Sequence, residues 1–264
     1  MGIKHYWSWF RKRFASSLYP LKKGEQMTAA VDNLMIDMNG IFHTSAQRVY
    51  KYGNFKPAGR LLGAQRPPKN TLQRQLEVFK DVCATIDTIV ATAPPRKRLV
   101  LCVDGPAPLS KQNQQRQRRF MSALERERDK TEEKEVSSFD SNSISPGTKF
   151  MDHLTKYVEW YIRKRVTENW AFEVIFSNEK VCGEGEHKCY QFIRKFGVPT
   201  ETYCIHGMDA DLIMLSMGTQ LPSFWILREE PNRRDIEFYA ISVADARREL
   251  VEMMRWQGKD YTYD

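Results

Sequence analysis

Leu99 to Gly105 reads LVLCVDG, an unbroken apolar run closed by an acid and a glycine. Similar runs recur at Leu34 to Asp37 (LMID), at Glu173 to Ser177 (EVIFS) and in CIHGMDAD after Tyr203. Longer segments of helical periodicity separate them. That alternation is the pattern of an α/β domain with a mostly parallel sheet flanked by helices. The predicted strands are Leu34 to Asp37, Arg98 to Asp104, Glu173 to Ser177 and Glu201 to His206, with a pair at Phe224 to Arg228 and Ile236 to Ala240. The predicted helices are Leu72 to Thr92, Ser110 to Lys130, Pro146 to Thr167, Glu186 to Phe196, Ala210 to Met217 and Val243 to Trp256. Pro, Gly and Lys crowd residues 52–69, which read as a long exposed loop.

The chain has 264 residues, 41% of them hydrophobic, enough to bury one core, so a single domain over residues 1–264 is expected. Its 41 Lys and Arg against 33 Asp and Glu give a formal charge of +8, which favours polyanionic partners such as nucleic acid or an anionic surface. Five cysteines without a C-x-x-C pair write neither a disulfide framework nor a zinc ribbon, and they point to a reducing intracellular compartment. The basic, aromatic opening MGIKHYWSWFRKRF could be a targeting peptide or a surface helix. It lacks the apolar stretch of a signal peptide, and Tyr6 stands where a myristoylation motif calls for Ser or Thr. No segment approaches the roughly 20 apolar residues that span a bilayer, so no membrane partner is expected.

Ligand sites of open parallel sheets lie beyond the carboxyl ends of the strands. Asp37 stands at one such end, Asp104 at a second, and Asp209 and Asp211 just past a third. Glu184 and Glu186, in the GEGEH that follows EVIFS, make a fourth contribution. Any one of these acids alone could be a helix cap or a turn residue; four acidic strand ends in order are harder to account for that way. If the ends are neighbours, six carboxylates share one pocket and raise one another's pKa unless cations neutralise them. Oxygen-only ligands at that density call for Mg²⁺ or Mn²⁺, as a pair about 3.5–4 Å apart suited to phosphodiester hydrolysis.

The same stretch, VCGEGEHKC at Val181 to Cys189, also offers the soft ligands Cys182, His187 and Cys189, with Cys204 and His206 as further zinc candidates. The Cys182 to Cys189 spacing matches no common zinc knuckle, and Cys189 falls on an apolar helical ladder with Tyr190, Phe192 and Ile193. Beyond Asp104, the helix in GPAPLSKQNQQRQRRF sets Lys111, Gln115, Arg118 and Arg119 at roughly 0°, 40°, 340° and 80°, on one side. Such a face suits a terminal phosphate. A solvated basic helix, paired through the later ERERDKTEEKE, accounts for the same spacing equally well.

These pieces, in this order, resemble the amino-terminal catalytic segment of the XRN family of 5′→3′ exoribonucleases. The residues carrying the resemblance are MGIKHYWSWF, NLMIDMNGIFH, CVDGPAPLSKQNQQRQRRF, FDSNSISPGTKFM, GEGEHK with FIRKFG, and CIHGMDADLIML followed by WILREE. The resemblance implies a Rossmann-like fold of the PIN and flap-nuclease kind. It assigns the metal-binding acids to Asp37, Asp104, Glu184, Glu186, Asp209 and Asp211, and a 5′-monophosphate pocket to Lys111, Gln115, Arg118 and Arg119. It places at His43 the histidine that stacks on a terminal base, and leaves Asn39 to orient the first acid or the phosphate. In VCGEGEHKC the soft ligands become bystanders, and Gly183 and Gly185 let the backbone aim both glutamates at one metal pair.

The implied activity is a Mg²⁺-dependent 5′→3′ exoribonuclease acting on single-stranded RNA with a 5′ monophosphate, in RNA decay or processing, nuclear or cytoplasmic. Family members continue into a second segment with a further metal-ligand Asp in a GNDFLP-like motif and an aromatic residue opposite the histidine. Neither follows Arg234, where a divergent extension covers about 231–264. Cys182 stands where relatives usually carry proline. The expectation is therefore a minimal version, viral or organellar in origin, or a subunit whose protein partner completes the site. The alternative is a catalytically impaired RNA-binding or scaffold subunit. A flap-endonuclease-type DNA nuclease would share the acids but calls for a helix-hairpin-helix segment that the sequence lacks.

Overall fold

The computed structural model describes residues 3, 5–55, 71–131, 139–231, 233 and 235–255. Its strands are β1 (Leu18–Leu21), β2 (Val31–Asp37), β3 (Pro95–Cys102), β4 (Glu173–Ser177), β5 (Tyr203–His206), β6 (Phe224–Glu229) and β7 (Phe238–Ser242). The helices are α1 (Tyr6–Arg13), α2 (Met38–Tyr50), α3 (Thr71–Thr92), α4 (Leu109–Thr131), α5 (Lys149–Glu168), α6 (Gly185–Phe196), α7 (Asp211–Met217) and α8 (Val243–Arg255). All seven strands form one sheet in the order β1-β7-β6-β5-β2-β3-β4. From β6 to β4 the neighbours are parallel, while β7 and β1 add an antiparallel edge.

The unbroken apolar run has a direct cause. Leu99 and Leu101 pack with Leu34 and Ile36 against Val82 and Ile86 of α3 and Leu154 and Val158 of α5. Val100, Cys102 and Met35 point the other way, against Cys189, Tyr190 and Ile193 of α6 and Leu212 of α7. The middle of a strand covered on both faces favours apolar residues at every position. At the opposite end of the strands from the acids, buried Glu201 accepts from Asn33 at 2.7 Å, Lys97 at 2.8 Å and Arg98 at 3.1 Å, pinning β2, β3 and β5 together.

The chain passes from β2 to β3 to β4 and then returns to β5 on the other side of β2. This reversal opens a crevice at the carboxyl ends of β2 and β5, the usual ligand position in such sheets.

Several elements differ from the sequence reading. Strand β2 begins three residues earlier, at Val31, and β3 ends at Cys102, leaving Asp104 in the following turn. β5 starts at Tyr203, and β7 lies two residues later than expected. α5 starts at Lys149 because Gly147 has φ +86° and the Thr148 hydroxyl caps the Met151 amide at 3.3 Å. β1 went unanticipated: it is short and contains Pro20, which an edge strand tolerates. α2 was also missed, since MNGIFHTSAQRVY mixes weak helix formers, though Met38, Ile41, Phe42 and Ala46 are buried on one side. The aromatic opening forms α1, which is docked on the domain through buried Phe10, whose ring lies 4.6 Å from that of Phe14. Of the expected loop, Tyr52 leads into the 3₁₀ turn Gly53–Phe55 and residues 56–69 lie outside the described residues; the carboxyl-terminal extension supplies β7 and α8, and its residues 256–264 also lie outside them. No helix among the described residues is long and apolar enough to cross a membrane.

Candidate active site

Asp37 is the last residue of β2 and the N-cap of α2. Asp104 follows β3; its Oδ1 accepts from the Gly185 amide at 2.6 Å, and its own amide donates to Asn39 Oδ1 at 3.0 Å. Asn39 thus touches both acids: its side chain holds the Asp104 backbone, and its own backbone amide reaches the Asp37 carboxylate, the first acid that the sequence assigned to it. Glu184 caps α6, and Glu186 lies in its first turn. Asp209 sits in the turn after β5, and Asp211 opens α7. Strands β3, β2 and β5 are adjacent, so the carboxylates they carry face one crevice together with those of α6.

Mutual repulsion registers that proximity. Asp37 is driven well above the usual carboxylate range, first by burial and then by Asp104, Glu186 and Asp209, with the nearby Asn39 amide opposing. Burial also raises Asp104, with Glu184 adding to the effect. Glu186 is pushed up to about 7 by burial, then by Asp209 and Glu184, against the opposing pull of Lys111. Asp37 Oδ1 and Glu186 Oε2 are buried without a hydrogen-bond partner. Orphaned anionic oxygens at this depth are costly unless a cation meets them.

Glycines make room for the cluster in two ways. Gly183 has φ +110°, the conformation that turns the chain into α6. At Gly185 the reason is space, since a Cβ there would lie 2.5 Å from Asp37 Oδ1.

Next to the acids, α4 leaves the loop after β3. Lys111 Nζ donates to Glu184 Oε2 at 3.0 Å, reaching into the acid cluster. One turn further on, Gln115, Arg116 and Arg119 line an open cavity of about 320 Å³ with Gly105, Pro106, Ala107, Gln112 and Pro146. Of the four expected phosphate ligands, Gln115 and Arg119 meet at this cavity, Lys111 turns to Glu184, and Arg118 is exposed and does not line it. Arg116 was missed; it differs from Arg119 by three residues, and the helical angle taken from Lys111 had placed it off the face.

A family profile described as the XRN 5′–3′ exonuclease N-terminus matches residues 1–230. The chain belongs to this family. Among curated relatives, it is 36% identical over 247 residues to 5′–3′ exoribonuclease 1 of Saccharomyces cerevisiae, covering 87% of this chain and 15% of the relative. It is 38% identical over 240 residues to 5′–3′ exoribonuclease 2 of Emericella nidulans, covering 80% and 21%. To the 5′–3′ exoribonuclease 2 homolog of Drosophila melanogaster it is 33% identical over 279 residues, covering 88% and 29%. The chain therefore spans less than a third of the length of these relatives.

The remaining candidates of this XRN-family chain fall as follows. His43 lies on the second turn of α2, and burial holds its imidazole below the usual pKa. Cys189 is buried beside Cys102, Cys204 lies 3.9 Å from Met27 Sδ in the core, and Cys182 is exposed, so the soft ligands do not converge. Glu184, Glu186 and His187 do present ligand atoms within 4.8 Å of one another. His187 is a borderline ligand at the rim; the two buried orphan oxygens make the oxygen-rich side the better fit for a hard cation. Lys188, within GEHK, was not anticipated. It is buried and donates to the carbonyls of Val103 at 2.7 Å and Asn178 at 2.9 Å, tying α6 to the turn that carries Asp104.

Proposed function

We propose that this chain carries the catalytic site of a Mg²⁺- or Mn²⁺-dependent 5′→3′ exoribonuclease that degrades single-stranded RNA bearing a 5′ monophosphate. The supporting observation is the junction of two opposite electrostatic environments, a buried acid cluster with two unpartnered oxygens and, one helical turn away, a cavity lined by Gln115, Arg116 and Arg119. Asp37, Asp104, Glu184, Glu186, Asp209 and Asp211 would hold two divalent cations. Bound there, the cations supply a nucleophile at neutral pH and stabilise charge on the leaving oxygen of an in-line displacement.

The chain's own groups do the positioning. Arg119 and Gln115, with Arg116 and Arg118 beside them, clamp the doubly charged terminal phosphate through charge-assisted hydrogen bonds. Lys111, paired with Glu184 at 3.0 Å, carries a cation between the acids and the clamp, from which it can also reach a phosphate oxygen. Holding the 5′ end one helical turn from the acids fixes which phosphodiester reaches them, so each cut removes one nucleotide. His43 stacks on the terminal base, a contact that tolerates any sequence. A triphosphate or cap overfills the clamp.

The test is to incubate the purified chain with Mg²⁺ and RNAs that differ only in a 5′ monophosphate, hydroxyl or triphosphate. Monophosphorylated RNA should shorten from its 5′ end, releasing mononucleotides, and Asp209→Ala should lower the rate at least about 100-fold. Equal degradation by Asp209→Ala, or survival of monophosphorylated RNA that the chain nevertheless binds, would sink the catalytic reading.

A further inference from the structure

The segment Trp225 to Glu230, WILREE, has no part in the chemistry above, yet its charged residues pair with α1, the end of β5 and the turn that carries Asp209. Glu230, 4% exposed, accepts from Arg11 of α1 at 3.3 Å. Glu229 Oε1 lies 3.6 Å from buried His206 at the end of β5. Arg228 is the most telling of the three. Its Nη1 donates to the carbonyl of Met208, and its guanidinium lies over the Trp7 ring, 4.6 Å from the centroid. Trp7 is itself wedged between Tyr239 and Phe10, with ring centroids at 6.0 and 6.4 Å.

The Met208 carbonyl belongs to the peptide unit whose nitrogen is that of Asp209. Fixing this carbonyl fixes the plane from which the Asp209 side chain departs. The backbone of the turn is held by Gly207 N to Leu227 O at 3.3 Å, Leu212 N to Asp209 O at 3.4 Å and Ile213 N to Ala210 O at 3.2 Å, and the N-cap of α7, Ala210, makes no side-chain cap.

We propose that Arg228 is a positioning residue for the metal-ligand turn: clamped between the Trp7 ring and the Met208 carbonyl, it sets the direction of Asp209 toward Asp37 and Glu186, with α1 as the outer wall of the clamp. A guanidinium can stack and donate from one plane, which an ammonium cannot, so lysine replaces it only in part. The inference rests on the reading of the acids as a metal site.

Mn²⁺ binding to the full chain, followed by the electron paramagnetic resonance signal of the free ion, tests it without any turnover. Arg228→Gln should weaken binding about 10-fold, the low end of what losing a residue that orients a ligand costs. Arg228→Lys should recover part of that, and Trp7→Leu should lose about 3-fold. Because Arg228 acts through Asp209, Arg228→Gln combined with Asp209→Asn should bind no more weakly than Asp209→Asn alone. Wild-type affinity in folded Arg228→Gln, or losses that multiply in the double variant, would overturn the proposal. Should Arg228→Gln fail to fold in EDTA by circular dichroism, Trp7→Leu paired with Asp209→Asn in the same cycle decides between the same outcomes. If Asp209→Asn leaves Mn²⁺ binding unchanged, the metal-site reading falls and this inference with it. If Asp209→Asn weakens binding and Arg228→Gln does not, only this inference fails.

Discussion

A Cβ on Gly185 would lie 2.5 Å from Asp37 Oδ1, 2.9 Å from the Cys102 carbonyl and 3.3 Å from Asp104 Oδ1. Two of those atoms belong to metal-ligand candidates and the third is backbone, so neither side can yield without moving the cluster. Gly185→Ala should therefore lower the rate on monophosphorylated RNA about 100-fold, the effect of displacing reacting groups by about an ångström. Single-turnover rates and Mn²⁺ binding would check it, and a variant with wild-type values in both would show that the site adapts. Sequence alone had given Gly185 a different job, conformational freedom, which belongs to Gly183 with its φ of +110°. The distinction lies in which atoms crowd the residue, and those come from β2 and β3, far away in the chain.

At the scale of elements, the acids and the basic clamp ride on different supports. The acids sit on β2, the turn after β3, α6 and α7, whereas Gln115, Arg116, Arg118 and Arg119 all belong to α4. α4 is joined to the acids near its first turn through Lys111 to Glu184, while Gln112 Nε2 ties that turn to the Ala107 carbonyl of the preceding loop at 3.2 Å. Arg118→Ala with Arg119→Ala should thus reduce the preference for a 5′ monophosphate over a 5′ hydroxyl at least about tenfold, as expected for losing two charge-assisted partners. Mn²⁺ binding should stay unchanged. Competition between the two RNAs measures the first and a metal titration the second; loss of metal binding would mean that α4 also shapes the acid cluster. Helical periodicity made the Lys111–Arg119 face legible. It did not distinguish the Glu184 partner of Lys111 from a phosphate ligand, because that ion pair joins residues 73 positions apart.

For the whole molecule, the cation-free acid cluster is a liability that pH controls. Glu186 rises from 4.5 to about 7 on folding, and Asp37 and Asp104 shift in the same direction. The folded chain then holds more protons than the unfolded one, so stability falls as pH climbs from about 4.5 through 7. Glu201 and Glu229, shifted downward, complete their titration below that window, while His43, lowered by burial, acts in the opposite sense. In EDTA, Glu186→Gln should unfold at a higher temperature than wild type at pH 8 and at a similar temperature at pH 5. Excess Mg²⁺ at pH 8 should raise the wild-type midpoint and leave that of the variant less affected. Calorimetry in both buffers provides the comparison, and a variant less stable than wild type in EDTA at pH 8 would refute the repulsion.

The sequence by itself determined the alternating α/β architecture, because the centre of a strand covered on both faces is apolar and the runs close on acids, at Asp37 and just past β3 at Asp104. It also determined which acids stand at those ends. Only the tertiary structure decided that β5 lies beside β2, which brings Asp209 to Asp37, and that α1 closes over the turn through Trp7 and Arg228. It alone decided that the Asn39 side chain serves Asp104 and that Gly185 is a matter of space. Periodicity is a local property, fixed by the geometry of one strand or helix. Strand order, electrostatic repulsion and close packing join residues distant in the chain, and they acquire values only once the chain has folded.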